Sequence, residues 1–397
     1  MKMRAPLLLR GGTVITTTDG SVPVKADLII EDERIAAIGR ELEFGSRVAN
    51  AVVVDLTGKF IVPGYVNAHD HLTTKRVRGT REERAMVTRD EVLLGALRNA
   101  FVNLREGVTT LRDAGSSHGL ALKIRDQIRT GNFVGPRIVA VAEGITDVAG
   151  YAHAFFREVA SPLEARRAAA EMIKQGADWI KCMASIEWEL GQNEPMSALN
   201  LSCETMRSAF DIAHHHGKRC MAHALADEAI KAAVEAGADT VEHGIYLSEP
   251  TAEMMAEKGV FLVPTLSGYR EHSNDWGRGN GTMIHGRLLA PFQIPAIRLA
   301  RKMGIAIALG TDTLGNISDE IELLVEGGFS LQECLAILTK NGAELIGKQD
   351  EIGTISVGKF ADLVVLNSSP LDSSQAFTDI SFVVKSGFLI DPRAIPI

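Results

Sequence analysis

Residues 218–244 read "KRCMAHALADEAIKAAVEAGADTVEHG", and the parsing of this segment settles the architecture. Two short apolar runs each finish on a histidine, His223 and His243. Between them lies a helix-forming stretch that stops at Gly237. A glycine just past the last helical residue is the common left-handed stop. Strand, helix, glycine, strand is a crossover unit, and such units build a parallel sheet.

The same phrase recurs along the chain. Gly176 stands before "DWIKCMA", Gly217 before "KRCMAHA", Gly259 before "VFLVPT" and Gly304 before "IAIALGTD". Helix starts are legible too. In "SPLE", Ser161 is a cap with Pro162 in the first turn and Glu164 three residues on; "SLQE" at 330–333 repeats the box. The strands expected are "IVPGYVNAH", "VTTLRD", "RIVAVAE", "DWIKCMA", "RCMAHA", "DTVEH", "FLVPT" and "IALGTD". From His69 to Asp312 the chain runs 243 residues, close to the ~250 of an eightfold α/β barrel. A doubly wound open sheet would carry a GxGxxG turn after an early strand, and none is present.

The expected fold class is therefore α/β: a (β/α)8 TIM barrel over residues 61–351. The flanks read differently. "LLLRGGTVITT", "ADLIIEDERIAAIG", "GTISVGKFADLVVLN" and "FVVKSGFLI" alternate like antiparallel strands. Residues 1–60 and 352–397 are expected to form one small β-sandwich domain from both termini.

Composition sets the class of partner. With 397 residues, 46% hydrophobic and 23% charged, the chain has the make-up of an ordinary globular protein. A net charge of −8 argues against nucleic acid, which demands clustered Lys and Arg. The N-terminal "MKMRAPLLLRGG" is broken at Arg10, short of a signal peptide. No apolar run approaches the ~20 residues of a membrane helix. Cys182, Cys203, Cys220 and Cys334 are scattered, with no CxxC pair. A cytoplasmic protein acting on a small molecule is expected, with a homo-oligomer as an open possibility.

In a barrel of this kind chemistry gathers at the C-terminal ends of the strands. The first strand ends "NAHDH", so His69 and His71 share a face. The fourth, "DWIKCMA", carries Lys181 among apolar residues, where an unpaired ammonium costs several kcal/mol. His223, His243 and Asp312 end three others. Four histidines and a carboxylate suit a two-metal site. The lysine does not, because an ammonium cannot ligate.

Those motifs, "VPGYVNAHDHL", "GADWIKCMAS", "MAHALADEAIKAAVEAGADTVEHG", "VPTL", "GTDTLG" and "IGTISVGKFADLVVLNSSPLD", resemble the amidohydrolase superfamily over nearly the whole chain. The resemblance is to its branch of metal-dependent dipeptidases and imidazolonepropionase-like amidohydrolases. It implies two divalent metal ions, most commonly zinc, and a CO2-derived carbamate on Lys181 bridging them. It implies that His69, His71 and Asp312 hold one ion and His223 and His243 the other. It further implies Asp312 as general acid/base, taking a proton from water and handing it to the leaving nitrogen. His153, in "GYAHAFF", falls where related dipeptidases carry a histidine against the substrate carbonyl. Tyr246, in "EHGIYLS", is a candidate oxyanion donor.

Other polar residues have blander readings. "HHH" at 214–216 ends a helix and suits its dipole. His118 is a loop residue, and Asp113 supports ligands rather than ligating. Tyr269 and His285 lie near the seventh strand's loop. Glu187, Trp188 and Glu189, with Phe155 and Phe156, are expected near the pocket's mouth. The function expected is a binuclear metal-dependent hydrolase of a C–N bond, in a dipeptide or N-acyl amino acid. Alternatives on the same site are a carbamate, lactone or phosphotriester hydrolase, a heterocycle deaminase, or a barrel that has lost its metals.

Overall fold

The computed structural model describes residues 5–17, 22–43, 51–73, 87–153, 155–186, 199–273 and 280–394. In chain order the chain forms β1 (Leu7–Val14), β2 (Val24–Glu31), β3 (Arg34–Gly39), β4 (Val52–Asp55), β5 (Phe60–Pro63), β6 (Tyr65–Asp70), α1 (Arg89–Arg105) and β7 (Val108–Asp113). It continues through α2 (Leu120–Arg129), β8 (Arg137–Ala140), β9 (Gly144–Asp147), β10 (Arg157–Val159), α3 (Pro162–Lys174), β11 (Trp179–Met183), α4 (Cys203–His215), β12 (Arg219–Ala224), α5 (Asp227–Ala236) and β13 (Thr240–His243). The remainder is α6 (Glu249–Lys258), β14 (Phe261–Val263), α7 (Leu266–Ser273), α8 (Asn280–Lys302), α9 (Ile317–Glu326), α10 (Leu331–Leu338), α11 (Lys340–Leu345), β15 (Leu363–Leu366), β16 (Ile380–Lys385) and β17 (Phe388–Ile390).

Two compact units result. One comprises Met1–Val66, Phe101–Thr110 and Phe329–Ile397. Strands from both ends of the chain share a single eight-stranded sheet, ordered β17-β16-β15-β5-β1-β2-β3, with β4 on β1. The two ends meet where β15 runs antiparallel to β5. Its core is aliphatic, with Leu9, Leu28, Ile61, Leu363 and Val365 among the buried residues. The capping box expected in "SLQE" is present on α10, with Ser330 and Glu333 bonding reciprocally.

The other unit comprises Asn67–Ala100 and Leu111–Gly328. Here β9, β11, β12, β13 and β14 run parallel, with β10 outside β9. The α5 helix ends at Gly237 with φ 101°, the left-handed stop that its position promised. Ser161 accepts from Glu164 N at the start of α3. Asp178 and Asp239, each in a Gly-Ala-Asp step, repeat one device. Asp178 accepts from Ala140 N and Arg125; Asp239 accepts from Cys220 N and His214. Each ties a helix to two strands.

Three expected strands differ in detail. "IVPGYVNAH" breaks at Gly64 into β5 and β6, which join different sheets. A Cβ at Gly64 would lie 2.1 Å from Thr109 Oγ1, so only glycine passes there. "RIVAVAE" stops as β8 at Ala140, and β9 takes up the sheet. "IALGTD" forms a single parallel bridge, Leu262–Ile307, rather than a full strand. Even so, Ala308 N bonds Leu262 O on one side and Ala68 N bonds Leu309 O on the other. Asp178 N likewise bonds Ala140 O, between β11 and β8. No helix among the described residues is long and apolar enough to cross a membrane.

Candidate metal centre

Four imidazoles converge at the strand ends. His69 is the penultimate residue of β6, His71 lies just beyond the strand, and His223 and His243 come from β12 and β13. Their ring centroids step 5.2 Å from His71 to His69, 5.3 Å to His243 and 4.6 Å to His223. Sheet register explains the last contact, since Ala224 lies opposite His243 and His223 opposite Glu242. Asp312 completes the group, with Oδ1 3.7 Å from His71 Nε2 and 4.0 Å from His69 Nε2.

What each imidazole does with its other nitrogen decides its chemistry. His69 Nδ1 faces Glu242 Oε2, His71 Nδ1 lies 2.7 Å from Gly115 O, and His243 Nδ1 lies 2.7 Å from Thr265 Oγ1. A carbonyl or carboxylate can only accept, so Nδ1 of His69 and His71 donates and Nε2 keeps its lone pair. Burial lowers the His69 pKa to about 3, so that ring is neutral. Its Nε2 is buried with no hydrogen-bond partner among the described residues. An orphaned buried acceptor is costly unless something binds it. One donor atom each from His69, His71 and Asp312 falls within 4.8 Å of the others. Two imidazole nitrogens and a carboxylate oxygen fit a divalent cation of zinc type.

A buried ionic frame holds this arrangement. Arg112, on β7, sends Nη2 to both Glu242 oxygens at 2.9 Å and Nη1 to Thr240 Oγ1 at 3.1 Å. Its Nε donates to Ala68 O, one residue before His69, and its guanidinium lies 4.6 Å from the Trp179 ring centroid. Arg112 and Glu242 are both fully buried. Burial alone would push the Glu242 carboxyl up, but Arg112 and His69 outweigh it and hold it well below the usual range. Neither residue was singled out from the sequence. The signal was there: "VTTLRD" and "TVEH" each hide a charge in a strand, the puzzle Lys181 also posed.

Lys181 is 1% exposed on β11, opposite Met221 and Gly144. Burial lowers its pKa to about 8, while Glu242 and Asp312 pull the other way. Burial also opposes ionisation of Asp312, but His69, His71 and His243 overcome it and keep the carboxylate charged.

The backbone is strained at three of these strand ends. His243 has φ 74°, Thr265 φ 49° and Asp312 φ 54°. Non-glycine residues in the left-handed region concentrate at functional sites.

Other candidates fall around the group. Asp113 accepts from Leu72 N, Ser116 Oγ and Gly115 N, so it supports the segment next to His71. His153 Nδ1 lies 3.0 Å from Gly150 O, in its own turn. Tyr151, two residues earlier, stacks on His223 at 4.9 Å. Tyr246 packs against Phe292 at 4.8 Å, whereas Tyr269 meets His243 edge-on at 5.4 Å. Phe156 covers Gly115 and Gly144, and Phe155 is exposed. His118 is exposed in the short turn before α2. His214 pairs with Asp239 at 2.9 Å, as Arg125 pairs with Asp178 at 2.7 Å, so the first of the three histidines serves the helix-to-strand tie. Glu187, Trp188, Glu189 and the side chain of His285 lie outside the described residues.

A model of the amidohydrolase family matches residues 60–389. Ochratoxinase of Aspergillus niger is 26% identical over 94% of this chain and 84% of its own. The structure of a prolidase complexed with N-methylphosphonate-L-proline superposes with TM-score 0.87 at 27% identity, covering 97% of this chain and 99% of that one. A Xaa-Pro dipeptidase with bound methionine has the same fold, with TM-score 0.87 at 24% identity over 97% and 100% of the two chains.

Proposed function

The chain belongs to the amidohydrolase family of hydrolases, and from that premise we propose that it is a binuclear metal-dependent enzyme cleaving a C–N bond in a small amide, such as a dipeptide or N-acyl amino acid. The observation that carries the reading is the buried, unpartnered Nε2 of His69 beside His71 and Asp312. The likeness to a prolidase and to ochratoxinase supports an amide substrate.

In this reading His69, His71 and Asp312 would hold one ion and His223 and His243 the second, with a carboxylated Lys181 as a further ligand. The ions are zinc, and when bound they supply Lewis-acid polarisation of a carbonyl and acidify water. Lys181 acquires its carboxylate when the neutral amine attacks the carbon of CO2, forming an N–C bond and releasing a proton. With a pKa of about 8 the amine is about one tenth neutral near pH 7, far more than an ordinary lysine. That reaction replaces a buried cation by an anion, which two bound metal cations would favour. Asp312, already ionised, takes the proton of the attacking water and returns it to the leaving nitrogen. His153 and Tyr246 are assigned to the substrate carbonyl on the strength of their positions just after β9 and β13. The fold that goes with this site is a closed (β/α)8 barrel, supported by the bonds of Ala68 to Leu309 and of Asp178 to Ala140. The terminal sheet is read as the small sandwich.

The test is Lys181→Ala, assayed for zinc content and for hydrolysis of a panel of dipeptides and N-acyl amino acids. Both must fall, and added short carboxylic acids must restore part of each. Full turnover in the variant, or no hydrolysis of any amide by zinc-loaded wild type, overturns the reading.

A further inference from the structure

One buried carboxylate near the centre belongs to neither the ligand set nor the arginine frame. Glu320, on α9, is fully buried. Its two oxygens accept from Leu266 N at 2.9 Å and Ser267 N at 2.7 Å. Among the described residues no cation pairs with it. A buried carboxylate held by two amides and the Ser267 hydroxyl, with no cation beside it, is an expensive way to begin a helix, and a serine or asparagine cap is the ordinary solution. The placement therefore needs another reason.

The reason lies in the residue just before those amides. Thr265 is buried, left-handed at φ 49°, and its Oγ1 meets His243 Nδ1. Residues 265–268 also interlock with the turn that carries Asp312. Asn316 N donates to Ser267 Oγ at 3.2 Å, and a Cβ at Gly315 would come within 2.2 Å of that oxygen. A Cβ at Gly268 would lie 3.4 Å from Asp312 Cβ. The two amides directly after the strained Thr265 are both bound by the Glu320 side chain, reaching in from α9.

We propose that Glu320 is a positioning residue of the metal centre: by binding the amides of Leu266 and Ser267 it fixes the turn through which Thr265 orients His243. The proposal rests on the two-ion reading, and the experiment separates the two. Zinc affinity of the full chain is measured by competition with a chromophoric chelator, alongside kcat/KM, for wild type, Glu320→Gln, Thr265→Val and the double variant. Outer partners of metal-bound histidines are worth ~10–100-fold in affinity. Each single change is expected to weaken one of the two zinc ions ~10–100-fold and leave the other in place. Excess zinc then restores most of the lost rate, which a general packing defect would not allow. The double variant should be no weaker than the worse single one, because both act on one imidazole. Wild-type zinc affinity in Glu320→Gln, or full additivity in the double variant, overturns the proposal. Glu320→Asp keeps the charge but shortens the reach, so it must also weaken zinc; unchanged affinity there is equally fatal, and it serves if the glutamine variant does not fold. Wild type that binds fewer than two zinc ions defeats the two-ion reading itself, a separate result.

Discussion

Replacing Glu242 by glutamine leaves the Arg112 guanidinium buried beside an amide in place of its counter-ion. The two 2.9 Å contacts from Arg112 Nη2 both end on that carboxylate, and both residues are fully enclosed. Removing one partner of a buried ion pair costs ~3–5 kcal/mol, because the remaining charge stays desolvated. An unfolding entropy of ~2.1 cal/mol/K per residue over 397 residues is about 0.8 kcal/mol/K, so Tm should fall by ~4–6 °C. A second loss follows at the centre. His69 Nδ1 and Arg112 both need an acceptor from residue 242, and an amide oxygen serves only one of them well. Zinc affinity should drop ~10–100-fold. Melting of the zinc-free variant reads the first loss, and chelator competition reads the second. Arg112→Met in the Glu242→Gln background should recover part of the Tm, since the stranded charge is gone. A Glu242→Gln protein that melts within ~1 °C of wild type and binds zinc as tightly would refute the reasoning.

Asp312→Asn should lower kcat by ~10²–10⁴-fold with a milder loss of zinc; unchanged kcat at full zinc occupancy takes Asp312 off the proton path. Glu320 yields a pH prediction of definite sign. Burial raises its pKa to about 7 from the ordinary 4.5, Asp312 adding to the rise and the Leu266 and Ser267 amides and the Ser267 hydroxyl opposing it. Between those values the folded chain keeps a proton that the unfolded chain releases, so stability from this group falls as pH climbs, by ~3 kcal/mol in all. Glu320→Gln lacks that dependence. With zinc removed from both, its stability relative to wild type should rise from pH 4.5 to pH 8 in urea titrations, and a flat difference would contradict the assignment.

Much of this was legible beforehand for a physical reason. Strand-end histidines stand out because polar residues are rare in buried strands, and helix stops such as Gly237 are set by local backbone geometry. The partners of the histidines were not legible. Glu242 is 173 residues from His69, and Arg112 is 130 from Glu242, so only the folded chain brings them together. The eighth strand was misjudged for a similar reason. "IALGTD" has the apolar run of a strand, but its hydrogen bonds fall alternately to Leu262 and to Ala68 and His69, and a regular ladder does not form. The need for glycine at position 64 comes from Thr109 standing against it, a contact no local pattern reports.

The left-handed backbone at His243, Thr265 and Asp312 carries a consequence for anyone improving this protein. Glycine relieves such a conformation at little steric cost. A laboratory selection for heat resistance alone would therefore reward glycine at Thr265 or Asp312. It would collect sturdier proteins with dead centres, and only a screen that also demands turnover would keep the uncomfortable residues where they are.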